Sequence, residues 1–269
     1  MALSAKPDRD SRPLSGRHAL VTGGGRGIGA AIADTLATLG CAVSLLGRTP
    51  GPLAAQAKAI AERHGVKTAM AAADVADPAS VDAAFATARA ALGPIAILVN
   101  NAGIALAAPI AKIRLEDWRR TLDVDLTGPF LCARAALPDM IAAKWGRIVT
   151  VASTAGLKAY PYVAPYVAAK HGVIGLTRAL ALELAKTGVT VNAVCPGYTE
   201  TEIVEDAVKN IVAKTGRSVE EARAELVKSN PQGRMIRPAE VAAAVAYLCG
   251  DEAGSLTGQA LAVAGGEVM

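Results

Sequence analysis

Three residues of the 269-residue chain have the types and spacing for proton transfer. Tyr166 and Lys170 stand four apart near the start of a helical stretch from Pro165 to Lys186, so they share one helix face. Ser153 follows the apolar run Arg147 to Ala152, read as a strand whose carboxyl end is where open α/β sheets bind ligands. A free phenol, with a pKa of about 10, is a poor acid–base group at neutral pH. An ammonium about 4 Å away, at an effective dielectric of ~20, favours a phenolate by about 4 kcal/mol before desolvation subtracts from it. That brings a tyrosine within reach of general acid–base work near pH 7. Alone, a Tyr-x-x-x-Lys spacing is an ordinary helical surface pair. Ser153 and a glycine cluster upstream make it chemistry.

The cluster reads Thr22-Gly23-Gly24-Gly25-Arg26-Gly27-Ile28-Gly29, between the first strand and the first helix. Gly23, Gly27 and Gly29 let the backbone turn sharply and approach a pyrophosphate, whose charge the helix N-terminus favours. The second strand ends at Leu46-Gly47-Arg48. An acid there would accept from the adenosine ribose and repel a 2′-phosphate. Gly47 removes the acid and Arg48 supplies a planar donor fork, with Arg26 as a second candidate for the same phosphate. The expected cofactor is NADP(H), with NAD(H) as the alternative. Asp74, with Val75 beside it, ends the third strand and is placed either to accept from the adenine amino group or to cap its own loop.

The elements that must position these residues alternate along the chain. Strands are expected at 19–22, 42–46, 67–73, 95–99, 147–152, 189–194 and 261–263. Helices lie between them, including one over 115–144 with a kink near Pro138, and Asp77 caps the helix opened by Pro78. Short continuous apolar strands separated by helices imply a parallel sheet covered on both faces. Residues 1–15 read as a polar tail, 16–269 as one domain, and 202–232 as its least regular, polar, helix-prone part.

On these motifs the chain, from Gly16 onward, resembles the short-chain dehydrogenase/reductase family. The motifs are Thr22-Gly23-xxx-Gly27-Ile28-Gly29, Asn100-Asn101-Ala102-Gly103, Ser153, Tyr166-Val167-Ala168-Ala169-Lys170 and Pro196-Gly197-Tyr198-Thr199-Glu200-Thr201. The stretch Ala164 to Gly197 further resembles ketoreductases of the fatty-acid and aromatic polyketide pathways. The resemblance implies a Rossmann-type, doubly wound, seven-stranded parallel sheet. It also implies a ketone/secondary-alcohol oxidoreductase in which Tyr166 moves the proton. Lys170 would bind the nicotinamide ribose and Ser153 the substrate oxygen. Asn101, Ala102 and Gly103 would line the cofactor, while Pro196, Gly197, Thr199 and Thr201 would hold its nicotinamide end, Thr201 near the carboxamide or pyrophosphate. A homotetramer is implied as well.

One position departs from the family. Asp125 stands where an asparagine commonly holds a water that links the lysine to solvent. An ionised carboxylate accepts from water and from Lys170 but cannot donate, and its charge partly cancels that of the lysine. The expectation is a working but altered relay; an inactive site and a role in kinking the helix are the alternatives.

Leu106 to Pro109, Leu157, Tyr160, Tyr162, Tyr198 and a 202–232 lid are expected around the carbonyl. Most are apolar, which suits a hydrophobic or ring-bearing ketone or a 3-oxoacyl thioester better than a free sugar. Two other readings stand beside the NADP(H) reductase: an NAD-linked alcohol or hydroxyacyl dehydrogenase, and a non-catalytic dinucleotide-binding protein.

Composition narrows the field further. With 52% hydrophobic and 19% charged residues, disorder and collagen-like repetition are excluded. Only 3% are aromatic and the net charge of +4 is scattered, so no nucleic-acid partner is expected. Four cysteines without a CxxC pair and three distant histidines give no metal site, and the thiols suit a reducing compartment. No apolar run reaches the ~18 residues of a membrane span, and the first residues lack an apolar signal core. The expected location is the cytoplasm.

Overall fold

The computed structural model describes residues 12–269. Seven strands, β1 (His18–Thr22), β2 (Ala42–Gly47), β3 (Thr68–Ala72), β4 (Ile97–Asn100), β5 (Gly146–Val151), β6 (Val189–Pro196) and β7 (Ala260–Val263), form one sheet in the order β3-β2-β1-β4-β5-β6-β7. Every pairing is parallel, with Ala19 between Val43 and Ile97 in register. The order reverses between β1 and β4, where open α/β sheets leave a crevice at their carboxyl edge.

Nine helices cover the two faces among the described residues: α1 (Gly27–Thr38), α2 (Pro50–His64), α3 (Pro78–Leu92), α4 (Leu115–Leu122), α5 (Gly128–Ala143), α6 (Ala164–Leu184), α7 (Glu202–Thr215), α8 (Val219–Val227) and α9 (Pro238–Cys249). Successive strand side chains point to opposite faces, which splits the core in two. Ala19, Val21, Val43 and Leu45 meet Ile32 and Leu36 of α1 and Val241 and Val245 of α9. Leu20, Leu98, Ile148 and Val191 meet Phe85 of α3, Met140 of α5 and Leu184 of α6. Asp77 caps α3 as expected, its carboxylate accepting from the Ala79 N–H at 3.2 Å.

Three details differ from the sequence reading. Arg12–Ser15, grouped with the tail by polarity, are built into the fold: Leu14 is 2% exposed and its N–H donates to Leu39 O at 2.9 Å. The first eleven residues of that tail lie outside the described residues. The expected 115–144 helix is divided: α5 runs through Pro138, and upstream of it the α-helical ladder gives way to a π turn, Asp123–Thr127. The 202–232 segment forms two helices, α7 and α8, whose Val204, Val208 and Ala222 cluster with Met235 from the stretch that follows. A capping box between Ser218 and Glu221 starts α8.

The four cysteines are free and buried; burial pushes the thiols of Cys41 and Cys132 up to about 12. Among the described residues, no helix is long and apolar enough to cross a membrane, and no cluster of His, Cys, Asp or Glu is disposed to hold a metal ion.

Candidate active site

Ser153, Tyr166 and Lys170 meet at the carboxyl edge of β5. Ser153 leaves that strand as the cap of a 3₁₀ turn, its Oγ accepting from the Ala155 N–H at 3.1 Å. Tyr166 lies in the first turn of α6 and Lys170 one turn on, with Nζ 5.3 Å from the centre of the Tyr166 ring. Lys170 is 4% exposed; its Nζ donates to Val151 O at 3.3 Å and pairs with Asp125 Oδ2 at 3.4 Å.

Asp125 has no exposed surface and sits in the π turn, a local widening of a helix that is frequent at functional sites. Its Oδ1 accepts from the Ile104 N–H at 2.8 Å, and a Cβ on Gly103 would come within 3.3 Å of Oδ2. Burial holds the Asp125 carboxyl above the usual carboxylate range, although the Lys170 charge and the Ile104 N–H pull it down. For Lys170, burial disfavours the charge, but the Asp125 carboxylate and Tyr166 outweigh it and the ammonium is held above its ordinary value.

The glycine turn is stitched to the loop after β4. Thr22 Oγ1 accepts from the N–H groups of Asn101 and Ala102 at 2.9 and 3.0 Å. Asn101 Nδ2 donates to Thr22 O and Gly23 O at 3.0 and 3.3 Å. Gly23 has φ +64, and a Cβ there would press to 2.8 Å from Asn101 Nδ2. A Cβ on Gly29 would collide with the Gly23 carbonyl and lie 2.5 Å from that same Nδ2. Ile28 packs on the core beside them. Thr201 closes the other side, its Cγ2 3.4 Å from where a Gly27 Cβ would be.

Other expected cofactor residues are disposed less simply. The Arg26 guanidinium pairs at 2.6 Å with Glu202, the first residue of α7. Arg48 is exposed just past Gly47. Asp74 bonds within its own loop and to α4: Oδ1 accepts from the Ala76 N–H at 3.0 Å and Oδ2 from Arg120 at 2.7 Å. Partial burial works against its charge, but those two donors and the nearby arginines hold its carboxyl below the usual range. Val75 is buried against Gly128, where a Cβ would lie 2.9 Å from its Cγ2. Pro196 ends β6 in register with Val263, and Thr199 is buried with its Oγ1 donating to Gly197 O at 3.0 Å.

Of the residues expected around the carbonyl, Leu157, Tyr162 and Tyr198 have exposed surface, and Tyr162 adopts φ +68. This set is less apolar than expected. Tyr160 turns its hydroxyl onto Glu267 at 2.6 Å, and the Glu267 side chain is 2% exposed. No spacing rule reaches across the 107 positions between those two residues, so sequence reasoning missed Glu267. It missed the Ile104 N–H for a plainer reason, since a backbone donor leaves no residue-type signal.

The short chain dehydrogenase family model matches residues 17–211. The chain is 39% identical over 256 residues to D-beta-hydroxybutyrate dehydrogenase of Cupriavidus necator, covering 95% of this chain and 99% of that one. It is 37% identical over 256 residues to the 3-oxoacyl-[acyl-carrier-protein] reductase FabG of Escherichia coli, again covering 95% and 99%. Among solved structures, a single-substitution variant of the actinorhodin polyketide ketoreductase with NADPH superposes with a TM-score of 0.89 at 40% identity, covering 93% of this chain and 97% of that one.

Proposed function

The chain belongs to the short-chain dehydrogenase family, and from that footing we propose that it is an NADP(H)-dependent ketoreductase that interconverts a ketone and a secondary alcohol. The observation that carries this is the convergence of Ser153, Tyr166 and Lys170 at the sheet edge beside the glycine cradle. The same trio speaks against a non-catalytic dinucleotide-binding role. The cradle fits a dinucleotide: Gly23 and Gly29 leave bare backbone where a side chain would intrude, and α1 offers its N-terminus. Gly47 and Arg48 favour the 2′-phosphate form. When bound, the dinucleotide supplies or takes the hydride.

The remaining work falls to side chains. Ser153 Oγ already accepts from the Ala155 N–H, which leaves its own hydrogen to donate to the substrate oxygen. Tyr166 gives its proton to that oxygen in reduction and takes it back in oxidation. Lys170 favours the phenolate that forms, and Asp125 holds the ammonium in place. Because an ionised Asp125 only accepts, it anchors the lysine end of the relay and cannot pass a proton onward as a donor.

For the substrate, a hydrophobic ketone or a 3-oxoacyl thioester is the reading supported by the exposed Leu157, Tyr162 and Tyr198 and by the named activity of the 3-oxoacyl reductase relative. The hydroxybutyrate dehydrogenase relative is named for the oxidative direction of such a ketone/alcohol pair. Helices α7 and α8 are assigned as the lid. A cytoplasmic homotetramer completes the proposal; Leu182 on α6, 82% exposed, is apolar surface for such contacts.

The test is NADPH oxidation with acetoacetyl-CoA and with a bicyclic aromatic ketone, NADH in parallel and Tyr166→Phe as the blank. Turnover is expected to fall by about 10²–10⁴ in the blank. Undiminished turnover in Tyr166→Phe, or tight NADPH binding with no turnover across a broad ketone panel, would overturn the proposal.

A further inference from the structure

Glu267 stands third from the end of the chain, yet its carboxylate is buried among donors from distant segments. It accepts from Tyr160 Oη at 2.6 Å and from Ser229 Oγ at 2.7 Å, and pairs with Lys158 Nζ at 3.0 Å. Lys158 and Tyr160 belong to the loop that continues from Ser153. Ser229 lies just past the end of α8, on the way out of the lid segment. A third loop packs on the same group: a Cβ on Gly197 would come within 3.2 Å of Glu267 Oε2. Burial disfavours the charge, but Tyr160, Ser229 and Lys158 together hold the Glu267 carboxyl below the usual range, so it is ionised at neutral pH.

The connection runs on toward Ser153 through one more hydroxyl. Tyr160 Oη lies 2.8 Å from Thr154 Oγ1. An ionised carboxylate accepts only, so the Tyr160 hydrogen goes to Glu267 and its oxygen receives that of Thr154. Thr154 is buried and follows Ser153 directly in the 3₁₀ turn that Ser153 caps. Charge from Glu267 also reaches Tyr198, whose phenol is held above its ordinary value by burial first, then by Glu267 and Tyr166.

The residues before Glu267 seat the lid's exit by shape. A Cβ on Gly265, at φ +61, would collide with the Asn230 side chain, and one on Gly266, at φ +91, would lie 3.3 Å from Pro231 Cγ. Asn230 in turn fixes its own turn, Nδ2 donating to Arg234 O and Oδ1 accepting from the Gln232 N–H, each at 2.8 Å. The two glycines and the carboxylate thus hold adjacent points of one strap, the first by contact and the second by hydrogen bonding.

We propose that Glu267 is a positioning residue for the reduction: it ties the trailing end of the 202–232 segment to the loop that carries Ser153, so that covering the ketone and aligning the Ser153 hydroxyl occur together. This rests on the ketoreductase reading for its kinetic consequence but not for its structural one. Glu267 touches neither reacting group; it acts through Tyr160 and Thr154 on one side and Ser229 on the other.

The experiment compares the full chain with Glu267→Leu, Glu267→Gln, Ser229→Ala and Tyr160→Phe, by steady-state kinetics and by backbone hydrogen exchange. In Glu267→Leu the ketone KM rises about tenfold while the NADPH Kd stays within about twofold. Glu267→Gln, which keeps an oxygen acceptor for Tyr160 and Ser229, recovers most of the loss. Ser229→Ala raises KM with kcat retained, whereas Tyr160→Phe lowers kcat through the Ser153 turn. Exchange quickens across 216–232 in Glu267→Leu and stays unchanged in β1 and β4. A KM within about twofold of the parent in Glu267→Leu overturns the proposal. So does exchange that quickens throughout the sheet together with loss of NADPH binding, which would make Glu267 a general stability residue. If Glu267→Leu does not fold, Ser229→Ala and Tyr160→Phe decide the matter, since the first removes only the bond from Ser229 and the second only the two bonds of the Tyr160 hydroxyl, to Glu267 and from Thr154; no separation of KM from kcat between them refutes the tie. A parent protein without turnover would remove the reductase reading, and the exchange comparison would still decide the tie.

Discussion

Replacing Asp125 by Asn tests the electrostatic account of the site most directly. Asn preserves the shape and leaves an oxygen to accept from the Ile104 N–H, but it removes the charge 3.4 Å from Lys170 Nζ. Nζ is in turn 5.3 Å from the centre of the Tyr166 ring, so the carboxylate lies within roughly 9 Å of that ring. At an effective dielectric of ~20, a negative charge at that range opposes a phenolate by about 2 kcal/mol. With about 1.4 kcal/mol per pH unit, the pH at which alcohol oxidation is half-maximal should move down by about one unit in Asp125→Asn. Lys170 keeps Val151 O as an acceptor, which helps the ammonium persist after its carboxylate is gone. The assay is NADP⁺ reduction by the alcohol product across pH, at saturating cofactor, for the parent and the variant. A profile that stays in place, or moves to higher pH, would refute the reasoning. The first outcome would mean the carboxylate does not act on the tyrosine; the second would mean that burial strips Lys170 of its proton once Asp125 is neutral.

Arg48→Ala should weaken NADPH binding by about 10- to 100-fold, the range for losing hydrogen bonds to a charged group, while NADH binding stays put; equal losses for both cofactors in a fluorescence titration would exclude Arg48 as the phosphate partner. Gly29→Ala drives a methyl into the Gly23 carbonyl and should cost about 1–3 kcal/mol, seen as a lower urea midpoint together with weaker binding of both cofactors. His18 is buried, with Nδ1 2.8 Å from Gly93 O and Nε2 2.8 Å from Ser44 Oγ, so the carbonyl fixes the proton on Nδ1 and the ring is neutral. Burial holds it below its ordinary 6.5, so the unfolded chain takes up a proton first as pH falls. Stability from this group is therefore full above about pH 6.5 and declines below it by up to about 1.4 kcal/mol per unit until the folded ring protonates. Urea unfolding between about pH 7 and 5 should show that slope, and His18→Gln should flatten it; a flat parent profile would contradict the buried neutral ring.

Much of the protein was legible in one dimension because the signals were local. A parallel strand buried on both faces must be a short apolar run, and a glycine turn between strand and helix needs no distant partner to be recognised. Tyr166 and Lys170 were found because a helix brings residues four apart onto one face, and the lack of an acid at Gly47 was visible by inspection. Side-chain direction was less accessible. Arg26 has a residue type suited to a phosphate, yet its guanidinium meets Glu202 across 176 positions of sequence. Asp74 looked equally fit for an adenine contact or a loop cap, and only Arg120, brought alongside from α4, shows which partners it has here.

The chain by itself determined the alternation of strands and helices, the glycine turn and the shared helix face of Tyr166 and Lys170, while the odd carboxylate at Asp125 stood out only against the family that the chain resembles. The first three follow from residue type and spacing within a single element or turn, where covalent geometry already fixes the neighbours. The tertiary structure decided where the helical ladder opens, how Asp125 is shared between Lys170 and the Ile104 N–H, and that Glu267 joins the turn after α8 to the loop that follows Ser153. Those outcomes depend on desolvation and on donors arriving from far along the chain. A buried charge settles on whichever partners packing supplies, and spacing along a sequence does not encode that choice.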